Sequence, residues 1–331
     1  LKAPWTQVED AFARAWAHRP TRAEPLYQLA YRMRVSQRYE MGYLFARQAA
    51  ALPLPIENWV FVDTDVYTWR ALDEQAVCAS WIGRQRESFE LCRRLLTIPD
   101  IDENDRARFT TNRDLAVPGL LEQTATYPAD LCRRPPGPPD ADVTFTLIAG
   151  PDRQQCERTL NSFLQCCTDI DTVGRFLALD VGLAEADRTH LSNSYPFLEF
   201  VSGSAHMTHT EQTDRLAEAI GGRYWLHSGQ GWQYFATDPL ITRLCSILHA
   251  EPDVSQVGVN YRDATTLTGT AAPADTTRTN PDTGRYVLTH TRSHFGPTGP
   301  TMFDVNRFRT HSSDKRFTGA TLDEVLCIKL S

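Results

Sequence analysis

From Val143 onward the sequence alternates apolar strand-like runs with helical segments, and that alternation restricts this part of the chain to a sheet flanked by helices. Val143 to Ala149 reads as an apolar strand and is followed by Gly150-Pro151. A helix comes next, with Cys156, Leu160, Phe163, Leu164 and Cys167 on one face. Phe176 to Asp180 and Phe197 to Val201 predict two more strands, and Thr210 to Ile220 predicts a helix closed by Gly221-Gly222. A further strand opens at Tyr224, Trp225 and Leu226. It runs through His227, Ser228, Gly229, Gln230 and Gly231 into an aromatic run at Trp232, Tyr234 and Phe235. Asp238-Pro239 then starts a helix, and Gln256 to Val259 is a short strand. The repetition predicts a mostly parallel sheet with ligands at the carboxyl ends of its strands, where small residues let phosphates and sugars approach.

The chain before this point has a different period. Residues 1–133 read as helices with short connections, and a unit returns after 46 residues: Leu26, Ala30, Gly42, Ala46, Ala49 and Pro53 map onto Leu72, Ala76, Ser88, Cys92, Leu95 and Pro99. Small residues at most of these points predict antiparallel helix pairs in close approach, each stacked on a neighbour. Pro53 to Trp69 is an aromatic-rich insertion. It reads as cover for the stack or as an acceptor or partner surface, and its Asp63-Thr-Asp65 lies outside the strand–helix part. Cys132 to Asp142 (CRRPPGPPDAD) is a stiff extended connector. The expected organisation is therefore a helical domain at 1–133, a linker at 134–142 and an α/β domain at 143–331.

Composition closes off several classes. A net charge of −7 over 331 residues disfavours nucleic acid. No run approaches the ~20 apolar residues of a membrane span, and no signal-peptide pattern opens the sequence. Eight cysteines without any C-x-x-C spacing are expected to be reduced thiols in a cytoplasmic protein without structural zinc. Neither G-x-G-x-x-G nor G-x-x-x-x-G-K-[ST] occurs, so dinucleotide-binding and P-loop readings lack their fingerprints.

The stretch GRYWLHSGQGWQYF resembles the central strand of family-2-like GT-A glycosyltransferases, which typically ends in a "yxLHLEDDW"-type sequence. His227 and Trp232 match, while Gly229, Gln230 and Gly231 replace the acidic pair that in the family binds a divalent metal. TLIAGPDRQQCERTLNSFLQCC is similar to the family's opening strand, loop and helix. FLALDVGLAEADR resembles its "vDDGS" segment with Val181 in place of the second acid, and GPTGPTMF followed by Asp304 is similar to the strand bordering the acceptor. The first domain resembles tetratricopeptide repeats. The resemblance implies an α/β GT-A-like (Rossmann-like) C-terminal domain with an all-α TPR-like N-terminal one.

The same resemblance implies a nucleotide-sugar donor and a small-molecule or polypeptide acceptor. Ala149, Gly150, Pro151, Asp180, His227, Gln230, Gly231 and Trp232 then form the donor site, with Asp180 on the base or ribose and Trp232 beside the sugar. Asp304 is the expected acceptor base, in competition with Asp314, Asp323 and Glu324. No residue is assigned to a metal, and a requirement for Mn2+ or Mg2+ is left open, because hard cations prefer carboxylate oxygens that the loop lacks. Arg262, Arg285, Arg292, Arg307, Arg309 and Lys315 are the cations available to a departing diphosphate. His206 with His209, and His290 with His294, complete no familiar ligand spacing. Residues 264 to 284 read as a surface excursion or a lid. The helical domain is expected to recruit the acceptor or to form a homodimer. The other reading is a non-catalytic pseudo-glycosyltransferase acting as a scaffold or binding module.

Overall fold

The computed structural model describes residues 4–56, 61–98, 100–133, 137–260, 277–280, 283–291, 299–310, 317–322 and 324–329. Its contacts divide the chain into two units, Leu1–Leu120 and Leu121–Ser331.

The first unit is helical: α1 (Trp5–His18), α2 (Glu24–Val35), α3 (Tyr39–Ala50), α4 (Ala71–Trp81), α5 (Gln85–Leu96) and α6 (Glu103–Leu115), followed by the start of α7 (Val117–Thr124). Helices α2 to α6 pack in chain order, α2 on α3, α3 on α4, α4 on α5 and α5 on α6. The 46-residue repeat is visible in the hydrogen bonds. Arg38 N–H donates to Met33 O at 2.8 Å, and Arg84 N–H donates to Ala79 O at 2.9 Å, closing the same turn in both helix pairs. Small residues at the crossing do what the repeat requires. A Cβ on Gly42 would stand 2.9 Å from Cys78 Sγ and 3.3 Å from Ala30 O. At the equivalent point the Ser88 hydroxyl donates to Ala76 O at 2.9 Å.

The insertion between α3 and α4 ends in a π-helical turn at Val66–Arg70. Val66 is buried with Ala23, Leu26, Ala49 and Ala71, so this end of the insertion covers the stack, whereas Ile56 and Phe61 are exposed. Arg70 holds both acids of the Asp63-Thr-Asp65 triplet, at 3.0 and 2.9 Å, which accounts for the pair without a metal.

The second unit contains β1 (Val143–Ala149), α8 (Arg153–Cys166), β2 (Val173–Asp180), α9 (Glu185–Ser194), β3 (Leu198–Ser202), α10 (His209–Ala219), β4 (Tyr224–Ser228), β5 (Trp232–Tyr234), α11 (Leu240–Ala250), β6 (Val254–Gly258), β7 (Thr277–Asn280), β8 (Gly284–Thr291), β9 (Thr301–Asp304), α12 (Val305–Thr310), β10 (Phe317–Leu322) and β11 (Cys327–Lys329). Among the described residues, nine strands form one sheet in the order β3-β2-β1-β4-β9-β6-β10-β8-β7. The first four strands are parallel, as the alternation predicts. Beyond them β9 and β8 run antiparallel to their neighbours while the other strands share the direction of the first four, so the sheet is mostly parallel with two reversed strands. Residues 121–125 hold to this unit: the Gln233 side chain donates to Leu121 O, Thr124 Oγ1 donates to Tyr234 O at 2.8 Å, and Asn161 donates to Ala125 O at 3.0 Å. Residues 137–142 of the connector lie against the same unit, since a Cβ on Gly137 would come within 2.3 Å of Asp171 O.

Period-2 alternation builds two cores on the sheet. On one face Phe145 stacks on Phe163 of α8 with centroids 4.1 Å apart, and Tyr224 meets His249 of α11. On the other face Trp225, Ile148 and Phe303 pack with Leu216 of α10 and Phe308 of α12. Among the described residues no helix is long and apolar enough to cross a membrane. All eight cysteines are unpaired, and burial pushes the Cys78, Cys92, Cys156 and Cys245 thiols up to about 12, as expected for inert structural thiols.

Candidate functional site

The chain leaves β1 for β2 and β3 on one side and returns to β4 on the other, so the carboxyl ends of β1 and β4 flank a topological switch point. In open α/β sheets this crevice is where ligands bind. Two loops meet there. Gly150 follows β1, and Gln230 follows β4. The Gln230 amide lies so close to Gly150 that a Cβ at that glycine would stand 2.6 Å from both its oxygen and its nitrogen. No hydrogen bond among the described residues ties that amide, and the side chain is only partly buried. Gly231 takes φ +80°, a left-handed conformation that costs glycine little, and this turns the chain from β4 into β5.

Ala149 is buried at the end of β1 and pairs in register with Asp180 at the end of β2. Asp180 Oδ1 accepts the backbone N–H groups of Gly182 and Leu183 at 3.1 and 2.9 Å, holding its own loop. Its Oδ2 faces Arg188, 3.8 Å away, which also lies over the Phe200 ring. Pro151 borders an open depression of about 480 Å³ that it shares with Asp152, Arg153, Gln154 and Asp187. Asp152 Oδ1 accepts the N–H groups of Gln154 and Gln155, so the first turn of α8 is already capped by the chain's own carboxylate.

His227 is buried in β4, where Thr146 Oγ1 lies 2.8 Å from its Nδ1. The same hydroxyl accepts the Trp225 Nε1–H at 2.7 Å. Tryptophan can only donate, so Thr146 Oγ1 spends one lone pair on Trp225 and keeps a lone pair and its hydrogen for His227 Nδ1, whichever tautomer the ring adopts. Burial pushes this imidazole down to about 3, with His209 adding in the same direction, so the His227 ring is neutral. Trp232 is also buried; its ring runs past Gly229 and Gly299, and β5 pairs with β11.

Asp304 is separated from this group. It pairs with Tyr224 at the start of β4, about 13 Å along the strand from Ser228 at ~3.3 Å per residue. It is almost fully buried, accepts the N–H groups of Asn306 and Arg307 through Oδ1, and pairs with Arg223 at 3.2 Å through Oδ2. At this opposite edge its carboxylate is engaged by Arg223 and by the first turn of α12. Arg307 belongs to that edge too, donating to the carbonyls of Leu248, Glu251 and Val254, and Arg309 donates to Ala217 O. Arg285 lies at the start of β8, on the Gln230 edge. Glu324 is held by Arg243 at 2.8 Å. Arg262, Arg292, Lys315, Asp314, Asp323 and His294, with most of the 264–284 excursion, lie outside the described residues.

Sequence alone does not single out Thr146 or Arg188, which the structure sets beside His227 and Asp180. A threonine inside the apolar run VTFTLIA, facing a histidine strand, was the one available signal for Thr146. Gly229, Gln230 and Gly231 offer a hard cation no carboxylate, and among the described residues no three His, Cys, Asp or Glu side chains cluster to hold one.

No protein-family model matches the chain, and no curated protein matches it in sequence. Among solved structures it is similar to a mannosyltransferase from Pyrobaculum calidifontis in complex with GDP-Man and Mn2+, at 14% identity over 63% of this chain and 59% of that one, with a TM-score of 0.36. It is also similar to glucosyl-3-phosphoglycerate synthase from Mycobacterium tuberculosis in complex with Mn2+, UDP-Glc and phosphoglyceric acid, at 15% identity over 50% and 58% of the two chains, with a TM-score of 0.33. An O-GlcNAc transferase mutant from Thermobaculum terrenum is similar at 15% identity over 64% and 40%, with a TM-score of 0.25. The chain spans less than two thirds of each of these proteins. At such scores the likenesses carry no argument about activity.

Proposed function

We propose that the sheet unit takes a nucleotide-sugar donor at the crevice between β1 and β4 and transfers its sugar without a divalent metal. The observation that supports this reading is the Gln230 amide, held against Gly150 at the switch point with its polar atoms turned to no described protein partner. Around it the resemblance to GT-A glycosyltransferases assigns roles by position. Asp180 contacts ribose or base through Oδ2, Ala149, Gly150 and Pro151 line the floor with backbone, and Gly231 and Trp232 shape the wall.

Glycosyl transfer needs a group to take the acceptor proton and dipoles or cations to hold the departing diphosphate. For the second task the described residues at this edge offer Arg188. Arginine suits phosphate through its bidentate fork. The helical pairs, read as tetratricopeptide-type repeats, present the acceptor.

A second reading has its own support. The β4 loop carries no carboxylate, and Asp304 is locked at the opposite edge. A non-catalytic domain serving as a scaffold or binding module is consistent with both. Calorimetric titration of UDP, GDP, dTDP and CDP, each with Mn2+ and again with EDTA, tests the proposal. Binding of one nucleotide that survives EDTA, with sugar turnover when acceptors are supplied, supports the transferase. Binding without turnover supports the scaffold. Binding of no nucleotide overturns the transferase and favours the scaffold.

A further inference from the structure

A second cation stands near the crevice, outside the main sheet. Strand β5 begins directly behind the β4 loop and pairs antiparallel with β11, which sets Tyr234 opposite Cys327, Gln233 opposite Ile328 and Trp232 opposite Lys329. This ribbon is fastened to the carboxyl edge of the sheet. Asn260, just after β6, donates to Cys327 O at 2.8 Å and accepts the Leu326 N–H at 2.9 Å. The Phe235 N–H donates to Leu326 O at 3.1 Å. Trp232 and Lys329 are thus fixed together at the end of the ribbon that adjoins Gln230. Directly opposed residues of an antiparallel pair share a face, with Cβ atoms about 4.5–5.5 Å apart.

Trp232 is only 4% exposed, so neither face of its ring is open for a sugar to stack on. What the ring leaves available is its N–H. A Cβ on Gly229 would stand 3.7 Å from Cδ1 and Nε1, and a Cβ on Gly299 would stand 3.5 Å from Cη2 at the far end of the indole. The N–H end therefore lies at the β4 loop. Trp225, equally buried, spends its N–H on Thr146, as buried tryptophans usually do. The Trp232 N–H forms no hydrogen bond among the described residues, and unlike that of Trp16 it is not sealed from solvent. Lys329 is exposed and forms no ion pair among the described residues, and Glu324, which precedes β11, is held by Arg243 at 2.8 Å.

These groups share one chemical property. An indole N–H and an ammonium donate and never accept. The backbone N–H groups of Gln230 and Gly231 beside them serve no hydrogen bond among the described residues. A sugar hydroxyl both donates and accepts, whereas an ionised phosphate oxygen accepts alone and carries the charge that Lys329 complements. We propose that Lys329 and the Trp232 N–H hold the sugar-bearing phosphate of the donor. They bring to the departing diphosphate a positive charge and a fixed dipole, the part a divalent cation plays elsewhere. The ammonium is a point charge on a flexible stem and can follow the phosphate as it leaves, while the buried indole is the rigid half of the pair. This assignment rests on the transferase reading of the crevice.

Calorimetric titration of the full chain in EDTA, with the nucleoside diphosphate and monophosphate of each base, tests this. For the preferred base the diphosphate is expected to bind more tightly by about tenfold or more. Lys329→Met should remove most of that preference, leave the monophosphate affinity little changed and keep the parent's melting temperature, because the side chain is exposed. Lys329→Arg should restore much of it. Trp232→Phe deletes the N–H but also part of a buried ring, so a measurement on the parent accompanies it. With the seven tryptophans isotope-labelled for nuclear magnetic resonance, the indole N–H signal missing from Trp232→Phe identifies Trp232. That signal is expected to move downfield on adding diphosphate and to stay in place on adding monophosphate. A parent without preference for the diphosphate, a preference unchanged in Lys329→Met, or a Trp232 signal indifferent to diphosphate overturns the inference while the transferase reading stands. A parent that binds no nucleotide overturns that reading and this inference with it.

Discussion

Gln37 and Gly83 occupy the same left-handed position one repeat apart, at φ +58° and +80°. Each follows a first helix and lets the next N–H reach back, Arg38 to Met33 O and Arg84 to Ala79 O. The second repeat uses glycine, which adopts this conformation without strain, whereas Gln37 carries a Cβ that crowds its carbonyl. Gln37→Gly is therefore expected to stabilise the chain by about 0.5–1 kcal/mol, the relieved strain being partly offset by the freer unfolded chain. Gly83→Ala is expected to cost about 1 kcal/mol. Urea unfolding of the two variants measures both, and opposite signs are the outcome that fits.

Burial holds His227 neutral, and this has a direct consequence for acid stability. Its folded value of about 3 lies below the ~6.5 of an exposed imidazole. Above pH 6.5 neither state binds the proton, and the stability is fully present. As the pH falls from 6.5 towards 3 the unfolded chain takes up a proton that the folded chain refuses, so stability is lost by up to about 1.4 kcal/mol per pH unit. His227→Gln removes this one proton from the balance. The loss between pH 7 and pH 5 should be smaller in the variant than in the parent by about 2 kcal/mol, as read from urea midpoints at the two pH values.

At the crevice, Gly150→Ala is expected to leave the fold standing. The atoms a new Cβ would strike are the far end of the flexible Gln230 side chain, not backbone. The amide must then leave its place. Nucleotide affinity is expected to fall about tenfold, or ~1.4 kcal/mol, with a melting temperature within a few degrees of the parent. Gln230→Ala in the same background should lower affinity little further, because the residue has already been displaced. A large additional loss would show that Gln230 still contacts ligand from its new position.

Much of this architecture was legible because one-dimensional periods map directly onto it. β1 runs from Val143 to Ala149 as the apolar run predicts, and the 46-residue spacing of Ala30 with Ala76 and Gly42 with Ser88 reappears as matched helix contacts. Antiparallel β9 was not legible. A strand's direction depends on the path of the chain between strands, which Thr301 to Asp304 alone do not record. The position of Asp304 follows from the same reversal: a reversed strand carries its C-terminal residue to the opposite edge, beside Tyr224. The meeting of Gly150 with Gln230 depends on two loops 80 residues apart, and neither carries a signal for the other.

Asp180 and Asp304 provide the sharpest test of where ligand binds, because both carboxylates cap local backbone while only Asp180 stands at the carboxyl edge of the parallel strands, beside the end of β1. In Asp180→Asn the amide oxygen can still accept the Gly182 and Leu183 N–H groups, so the loop is kept and only the charge at Oδ2 is removed. Nucleotide affinity should fall by about tenfold or more, the ~1.5–3 kcal/mol of a charged hydrogen bond, with little change in stability. Asp304→Asn also keeps its cap on Asn306 and Arg307, but it leaves Arg223 and Arg307 without their buried partner. The exposure of Arg223 limits the loss of stability to about 1–3 kcal/mol, and nucleotide affinity should be unchanged. Calorimetric titration and urea unfolding of both variants resolve four numbers. A fall in affinity for Asp304→Asn at unchanged stability would return that residue to the site, and unchanged affinity for Asp180→Asn would move the nucleotide elsewhere along the sheet edge.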